Sequence, residues 1–292
     1  MANEARTLFQ PELVADLLNK VKGKSTLAKL SGQIPISFVG NEMMTFSMDN
    51  EVDVVAENGK KTEGGIKFEP VKMIPIKLEY GARISDEFLY ASEEKQLDVL
   101  RAFNDGFSAK VARGLDICAF HGLNPRTKTA SGVIGTNNFD SLVTQQVAYA
   151  AANADDNLDA AIALVDGSEG DVTGFAFSKT FGAAMSKIKA NGITLYPEFR
   201  FGGNPEAFAG RISDTNNTVN FATSKVHAYV GDFANAFKWG IAKEIPLEVI
   251  QYGDPDNSGK DLKGYNQVYL RSEIYIGWGI LVPEFFAKIK EA

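Results

Sequence analysis

The chain has 292 residues, of which 45% are hydrophobic and 23% charged, the composition of a folded globular protein rather than a disordered one. Its net charge of −7 lacks the basic footprint of a nucleic-acid binder. A single cysteine excludes an internal disulfide framework, and no apolar run approaches the ~20 residues of a membrane-spanning helix.

The first ten residues, MANEARTLFQ, lack the basic start and apolar stretch of a secretory signal, which predicts synthesis in a reducing cytosol. Residues 1–35 predict an arm. A short amphipathic helix over Pro11–Val21 places Leu13, Val14, Leu17 and Leu18 on one side, and Lys20, Lys22, Lys24 and Lys29 follow. That is too little apolar surface for a core of its own.

From Glu42 to Ile84 the pattern is β. Phe46 and Met48 alternate with polar neighbours, as do Val52 and Val54. The run AENGKKTEGG is turn material with an Asn-Gly pair. Ile66 and Phe68 resume the alternation. The spacing predicts a long hairpin over 52–68 with a charged, glycine-rich tip. A second strand continues to Ile84, with a bulge or bend at Ile74-Pro75. A lone two-stranded hairpin is marginal in water, so this one is expected to lie on a neighbouring molecule.

Ser85–Phe120 predicts one long amphipathic helix. Tyr90, Leu97, Leu100, Phe103, Phe107, Val111, Leu115 and Cys118 recur at threes, fours and sevens, and Glu93, Glu94, Asp98, Arg101, Lys110, Arg113 and Asp116 fall mostly on the other face. Ser85 can cap it and Gly122 can end it. Such a helix would run about 50 Å. Gly106 and Gly114 offer places to bend. Cys118 reads as a small core residue.

Residues 122–135 read as a loop. Helices are expected near Ser141–Ala152 and from Asp155 through Leu164, then a strand over Thr173–Phe177. Ser178 caps a helix carrying Phe181, Met185 and Ile188 and ending at Asn191-Gly192. Strands are expected at Lys225–Val230, Phe237–Ile241, Ile245–Tyr252, Gln267–Tyr275 and Gly277–Val282, with a polar loop over Asp254–Gly264. The order is α+β, with a central α/β block between two β-rich parts.

The motifs that suggest chemistry fail on inspection. Gly23-Lys24-Ser25-Thr26 imitates the end of a phosphate-binding loop, but Leu18 stands where the motif needs glycine. Asp254, Asp256, Ser258 and Gly259 imitate a calcium loop, yet its twelfth position is Tyr265. His121 and His227 lack ligand spacing, and His121 suits the negative end of the long helix. The residues therefore predict no catalytic site, no metal and no cofactor. What remains is an arm, a hairpin and a long helix, all suited to contacts between copies.

The run VVAENGKKTEGGIKFEPVKMIPIKLEYGARIS at 54–85, the helix after it, AYVGDF at 228–233 and YLRSEIYIGWGILVPEFFAKIK at 269–290 resemble, in that order, the major capsid proteins of tailed bacteriophages. The resemblance covers nearly all of the chain from residue 36. It implies an α+β Hong Kong 97-like fold: an N-terminal arm (1–35), a peripheral domain (36–144 and 241–292) with extended loop 52–68 and spine helix 85–120, and an axial α/β domain (145–240). It implies pentamers and hexamers forming an icosahedral head around double-stranded DNA, with the subunit made in host cytoplasm. It also implies a separate scaffolding protein, a portal, possible decoration proteins and no membrane. DNA contact would be weak and non-specific.

Some members of that family lock their shells with an isopeptide bond. By resemblance, Lys61 matches the loop lysine, Asn266 the acceptor asparagine on another subunit, and Glu273 the assisting glutamate. The alternatives are an encapsulin-like compartment shell, which shares the fold, and a soluble α/β enzyme with an unrecognised site.

Overall fold

The computed structural model describes residues 24–48 and 51–292, so the helix expected over Pro11–Val21 lies outside the described residues. In chain order the elements begin with helix α1 (Thr26–Leu30) and strands β1 (Asn41–Met48), β2 (Ile66–Met73) and β3 (Ile76–Ser85), followed by helix α2 (Glu93–His121). Then come α3 (Phe139–Leu142), β4 (Gln146–Ala148), α4 (Ala154–Gly167), β5 (Gly174–Phe177) and α5 (Lys179–Met185). The remainder is β: β6 (Lys189–Ala190), β7 (Ile193–Thr194), β8 (Ala207–Phe208), β9 (Arg211–Thr215), β10 (Val226–Gly231), β11 (Phe237–Ile250), β12 (Gln267–Ile280) and β13 (Phe286–Lys290).

Two sheets carry the core. The antiparallel sheet β11-β12-β3 supports the C-terminal half of α2: Phe107, Val111 and Leu115 share a core with Ile274, Ile276 and Trp278. The other sheet has the order β4-β13-β10-β5-β9-β8 and is mixed, with β13–β4 and β5–β9 parallel. Leu158, Ala161 and Val165 of α4 and Phe181 and Met185 of α5 pack against its Phe175, Phe177, Val230 and Ile289. Phe139 joins the two parts. It is fully buried, its ring centroid 5.0–5.9 Å from those of Phe120, Tyr229, Phe233, Phe237 and Phe286.

The spine helix starts later than its apolar spacing predicts. β3 runs to Ser85, which lies opposite Gln267, so sheet pairing takes the first residues away from the helix. The Ser85 hydroxyl does cap, but it accepts from Glu87 N–H to start a 3₁₀ turn, Asp86–Tyr90, and Tyr90 is exposed. The α-helix is Glu93–His121, 29 residues and about 44 Å long. At its end Gly122 takes φ +66, and a Cβ there would strike the Asn138 side chain. Cys118 is buried as expected.

The hairpin strands are not those expected over 52–68. They are β1 and β2, and residues 51–65 are irregular. Val52 and Val54 have nothing to pack on and stay exposed. Pro75, which lacks an N–H, separates two strands with different partners instead of bending one: β2 pairs β1, and β3 pairs β12. Of the helix expected near Ser141–Ala152 only α3 forms. Gln146–Ala148 pairs in parallel with Lys288–Lys290, a partner some 140 residues away that local spacing cannot reveal. α5 stops at Met185, and Asn191-Gly192, at φ +50 and +83, turns the β6–β7 hairpin. β11 and β12 are each continuous, β11 carrying register shifts at 241/243 and 245/248. Finally, β13 lies between β4 and β10, so a boundary at residue 240 divides a continuous sheet.

Candidate assembly site

Among the described residues the β1–β2 hairpin pairs with no other strand. Its ladder runs from Asn41↔Met73 to Met48↔Ile66. Only Met73, at the root, is buried. Met44, Phe46, Met48, Ile66 and Phe68 stay exposed, with Phe46 and Phe68 stacked edge-to-face at 5.4 Å. Exposed apolar residues in a row, on a ribbon without a third strand, mark a surface that another molecule covers.

Lys61 is exposed in the loop beyond this hairpin. Asn266 sits at φ +51 just before β12, its side chain exposed and its carbonyl accepting from Asp86 N–H. Glu273 is buried in mid-strand, with Lys77 Nζ at 2.8 Å and Arg271 Nε at 3.5 Å. The hydrogen bond to Glu273, with the charge behind it, holds the Lys77 ammonium above its usual pKa. Asn266, in the left-handed region, stands just before β12, and Glu273 lies inside the strand seven residues later, about 20 Å away along the chain. One chain does not bring them together, and neither bonds Lys61 among the described residues.

Sequence reasoning missed the buried polar junction at the N-terminal segment. Asp116, expected on the polar face of the spine helix, is fully buried. Its carboxylate accepts from Ser25 Oγ (2.5 Å), Thr26 N (3.0 Å), Leu27 N (3.1 Å) and Thr218 Oγ1 (2.9 Å). Burial pushes Asp116 up to about 6 against those hydrogen bonds. Nearby, Asp214 accepts from Thr26 Oγ1 and Asn204 Nδ2 and pairs with Lys29 at 2.8 Å. Trp239 Nε1 donates to Ser31 O. The segment from Ser25 to Ser31 is thus tied to the spine helix and to both sheets. A signal was available: GLDICAFH, residues 114–121, is apolar on all sides of Asp116, as in a helix end buried all round.

Both histidines are buried in hydrogen-bonded clusters. His121 Nδ1 lies 2.7 Å from Asp140 Oδ2 and Nε2 lies 2.9 Å from Thr218 O, so both ring nitrogens are engaged. Tyr229 donates to Asp140 Oδ1 at 2.6 Å. Burial opposes ionisation of Asp140, but its His121 and Tyr229 hydrogen bonds outweigh it and hold the carboxyl below its usual value. Thr180, His227 and Glu291 form a hydroxyl–imidazole–carboxylate chain at 2.9 and 3.0 Å. Tyr149 stacks on that imidazole at 3.9 Å, and Ser178 bonds the Thr180 hydroxyl. These are closed clusters that fix packing. Among the described residues no group of three His, Cys, Asp or Glu can hold a metal ion, and no helix is long and apolar enough to cross a membrane.

No family model and no curated protein matches the sequence. Solved structures do. A chain of Mycobacterium phage Ogopogo is 30% identical, with 92% of each chain covered and a TM-score of 0.77. The chain belongs to the tailed-bacteriophage major capsid proteins. A chain of Gordonia phage Cozz, 22% identical over 91% of this capsid protein and 86% of its own length, superposes with a TM-score of 0.75. The capsid of an empty GTA particle computed with C5 symmetry matches at 17% identity, 92% and 90% coverage and a TM-score of 0.65. The Hong Kong 97-like α+β fold and the structural role in a virion capsid of repeated subunits follow, and an encapsulin-like shell or a soluble enzyme is not favoured.

Proposed function

We propose that this capsid protein forms pentamers and hexamers that close into an icosahedral head around double-stranded DNA, and that it has no turnover chemistry. The hairpin carries this reading: Met44, Phe46, Met48, Ile66 and Phe68 are exposed on a ribbon that needs a neighbour to be stable. In this reading β1–β2 and loop 51–65 are the extended loop lying over the adjacent subunit. Residues 1–35 are the arm, and the parts built on the two sheets are the peripheral and axial domains. Assembly takes place in host cytoplasm with a separate scaffolding protein and a portal, and the finished shell offers an outer surface to decoration proteins. At net charge −7 the wall contacts DNA weakly and without sequence preference.

Expression with a scaffolding partner followed by negative-stain microscopy tests this reading. Shells are expected. A monodisperse 31.7 kDa monomer in size-exclusion chromatography under every assembly condition refutes it.

The covalent lock belongs to the same proposal. Lys61 Nζ attacks the Asn266 side-chain carbonyl carbon of another subunit, the new C–N bond replaces the C–NH₂ bond, and ammonia leaves. A Glu273 carboxylate takes the amine proton and returns it to the departing nitrogen. Because Asn266 and Glu273 stand seven residues apart along one chain, this reading takes the glutamate from a different subunit than the asparagine. Denaturing gels of mature particles are expected to show ladders that Lys61→Ala abolishes; a single monomer band rules the lock out.

A further inference from the structure

Helix α4 has two stripes. Ala154, Leu158, Ala161 and Val165 form the buried one, against the six-stranded sheet. Asp156, Asp159, Ala160, Ala163, Leu164 and Asp166 lie on the opposite side and are exposed. Small apolar residues between carboxylates make an exposed acidic patch on that face, with Ala160 and Ala163 leaving its centre low.

A second open surface stands on the same part of the molecule. After α5 the chain makes the β6–β7 hairpin and a 3₁₀ stretch, Pro197–Gly202. Ile193 is 71% exposed and Phe201 99% exposed. Phe201 takes φ +58, a left-handed conformation that a bulky side chain rarely adopts, with the Arg200 guanidinium 5.1 Å from its ring centroid. Ser186, Lys187, Lys189, Arg200 and Phe201 line an open depression of about 410 Å³. With Lys187, Lys189 and Arg200 set against the one exposed carboxylate of Glu198, the tip is apolar and net basic where α4 is apolar and acidic. Helix α5 contacts both α4 and the Pro197–Gly202 stretch, so the two surfaces stand side by side in one chain. They do not satisfy one another there: among the described residues no ion pair engages Lys187, Lys189, Arg200, Asp156, Asp159 or Asp166.

We propose that the basic, apolar tip at residues 186–203 of one subunit seats on the acidic outer face of α4 in the next copy of this chain. The inference rests on the capsid reading above and specifies which surfaces meet. Phe201 and Ile193 sit over Ala160, Ala163 and Leu164, and the charges close around them, an apolar centre with a polar rim. Complementary charge sets the register of such a contact. Two different patches meeting head to tail close into a ring by rotation, the arrangement a capsomer needs. The acidic patch beside the tip repels phosphate, which favours a protein occupant over DNA.

A charge swap tests the pairing. The four residues to be changed are exposed, so the unassembled variants should melt within about 2 °C of the parent. Lys187→Glu with Arg200→Glu, and separately Asp159→Lys with Asp166→Lys, should each lower the assembled fraction about tenfold or more, because like charges then meet. All four changes in one chain should restore assembly to within about twofold. If the parent forms shells and the one-sided variants do so equally well, or if the combined swap fails to rescue, the inference falls while the capsid reading stands. If tip variants build normal shells that only retain less DNA, the tip is a nucleic-acid contact and the inference is likewise overturned. A parent that never assembles removes the capsid reading itself.

Discussion

The β1–β2 hairpin and the β11-β12-β3 sheet are both antiparallel and both rich in large apolar side chains, yet they meet opposite fates. In the sheet, Trp239 and Trp278 are register partners, and both are buried. In the hairpin, Phe46 and Phe68 are register partners too, and both are exposed. Residue type does not separate them. The sheet has a third strand and the spine helix to cover it, whereas the hairpin ends its cover at Met73. One region is finished within the subunit. The other leaves its apolar side chains in solvent.

Substitutions can break this contrast or sharpen it. Phe139→Ala should cost the unassembled subunit about 3–5 kcal/mol in chemical denaturation, since it empties the centre of five aromatic contacts. Asp116→Asn should cost about 1–3 kcal/mol, because one of its two side-chain atoms becomes a donor facing donors. Its pH dependence has a definite sign. Asp116 titrates at about 6 in the fold and near ~3.9 when unfolded, so between those values the folded state binds more protons. Stability from this group falls as pH rises through that window and is recovered on acidification. Glu244, pushed up to about 7 by burial, acts in the same direction, so the difference between parent and Asp116→Asn isolates Asp116. Gly106→Ala should stabilise by about 0.5–1 kcal/mol, as a methyl there meets open space in mid-helix. Gly114→Ala, whose methyl would sit 3.3 Å from Leu78 Cδ1, should gain less. Phe46→Ala with Phe68→Ala should shift subunit stability least, within about 0.5 kcal/mol, while abolishing shells seen by microscopy. An equally large loss in the lone subunit would mean that the hairpin is finished within one chain after all.

The same contrast explains what could be read in advance. Local period revealed the spine helix, α4, β5 and the polar loop, because each is dictated by residues a few positions apart. The alternation at Phe46, Met48, Ile66 and Phe68 marked the β character of β1 and β2, but not which residues pair, since the hairpin was expected over 52–68. The start of the spine helix was hidden because Ser85 is claimed by Gln267, 182 residues later. β4 was hidden by its dependence on β13. The Asp116 junction joins residues 89–102 positions apart, which no spacing rule sees. The separation of Asn266 and Glu273 was not read in advance, because Asn266 turns out of the strand at φ +51 and the two were matched by resemblance alone.

One consequence concerns timing. Residues 286–290 come after every other described element in chain order, yet they form an interior strand, bonded to β10 on one side and β4 on the other. Until they emerge, the six-stranded sheet stands in two unjoined pieces, although the hairpin with its exposed apolar residues has long been made. A growing chain on the ribosome is therefore adhesive before it is competent to build. A prematurely terminated chain lacks the strand that closes its own fold, so defective copies drop out at folding instead of being built into the wall.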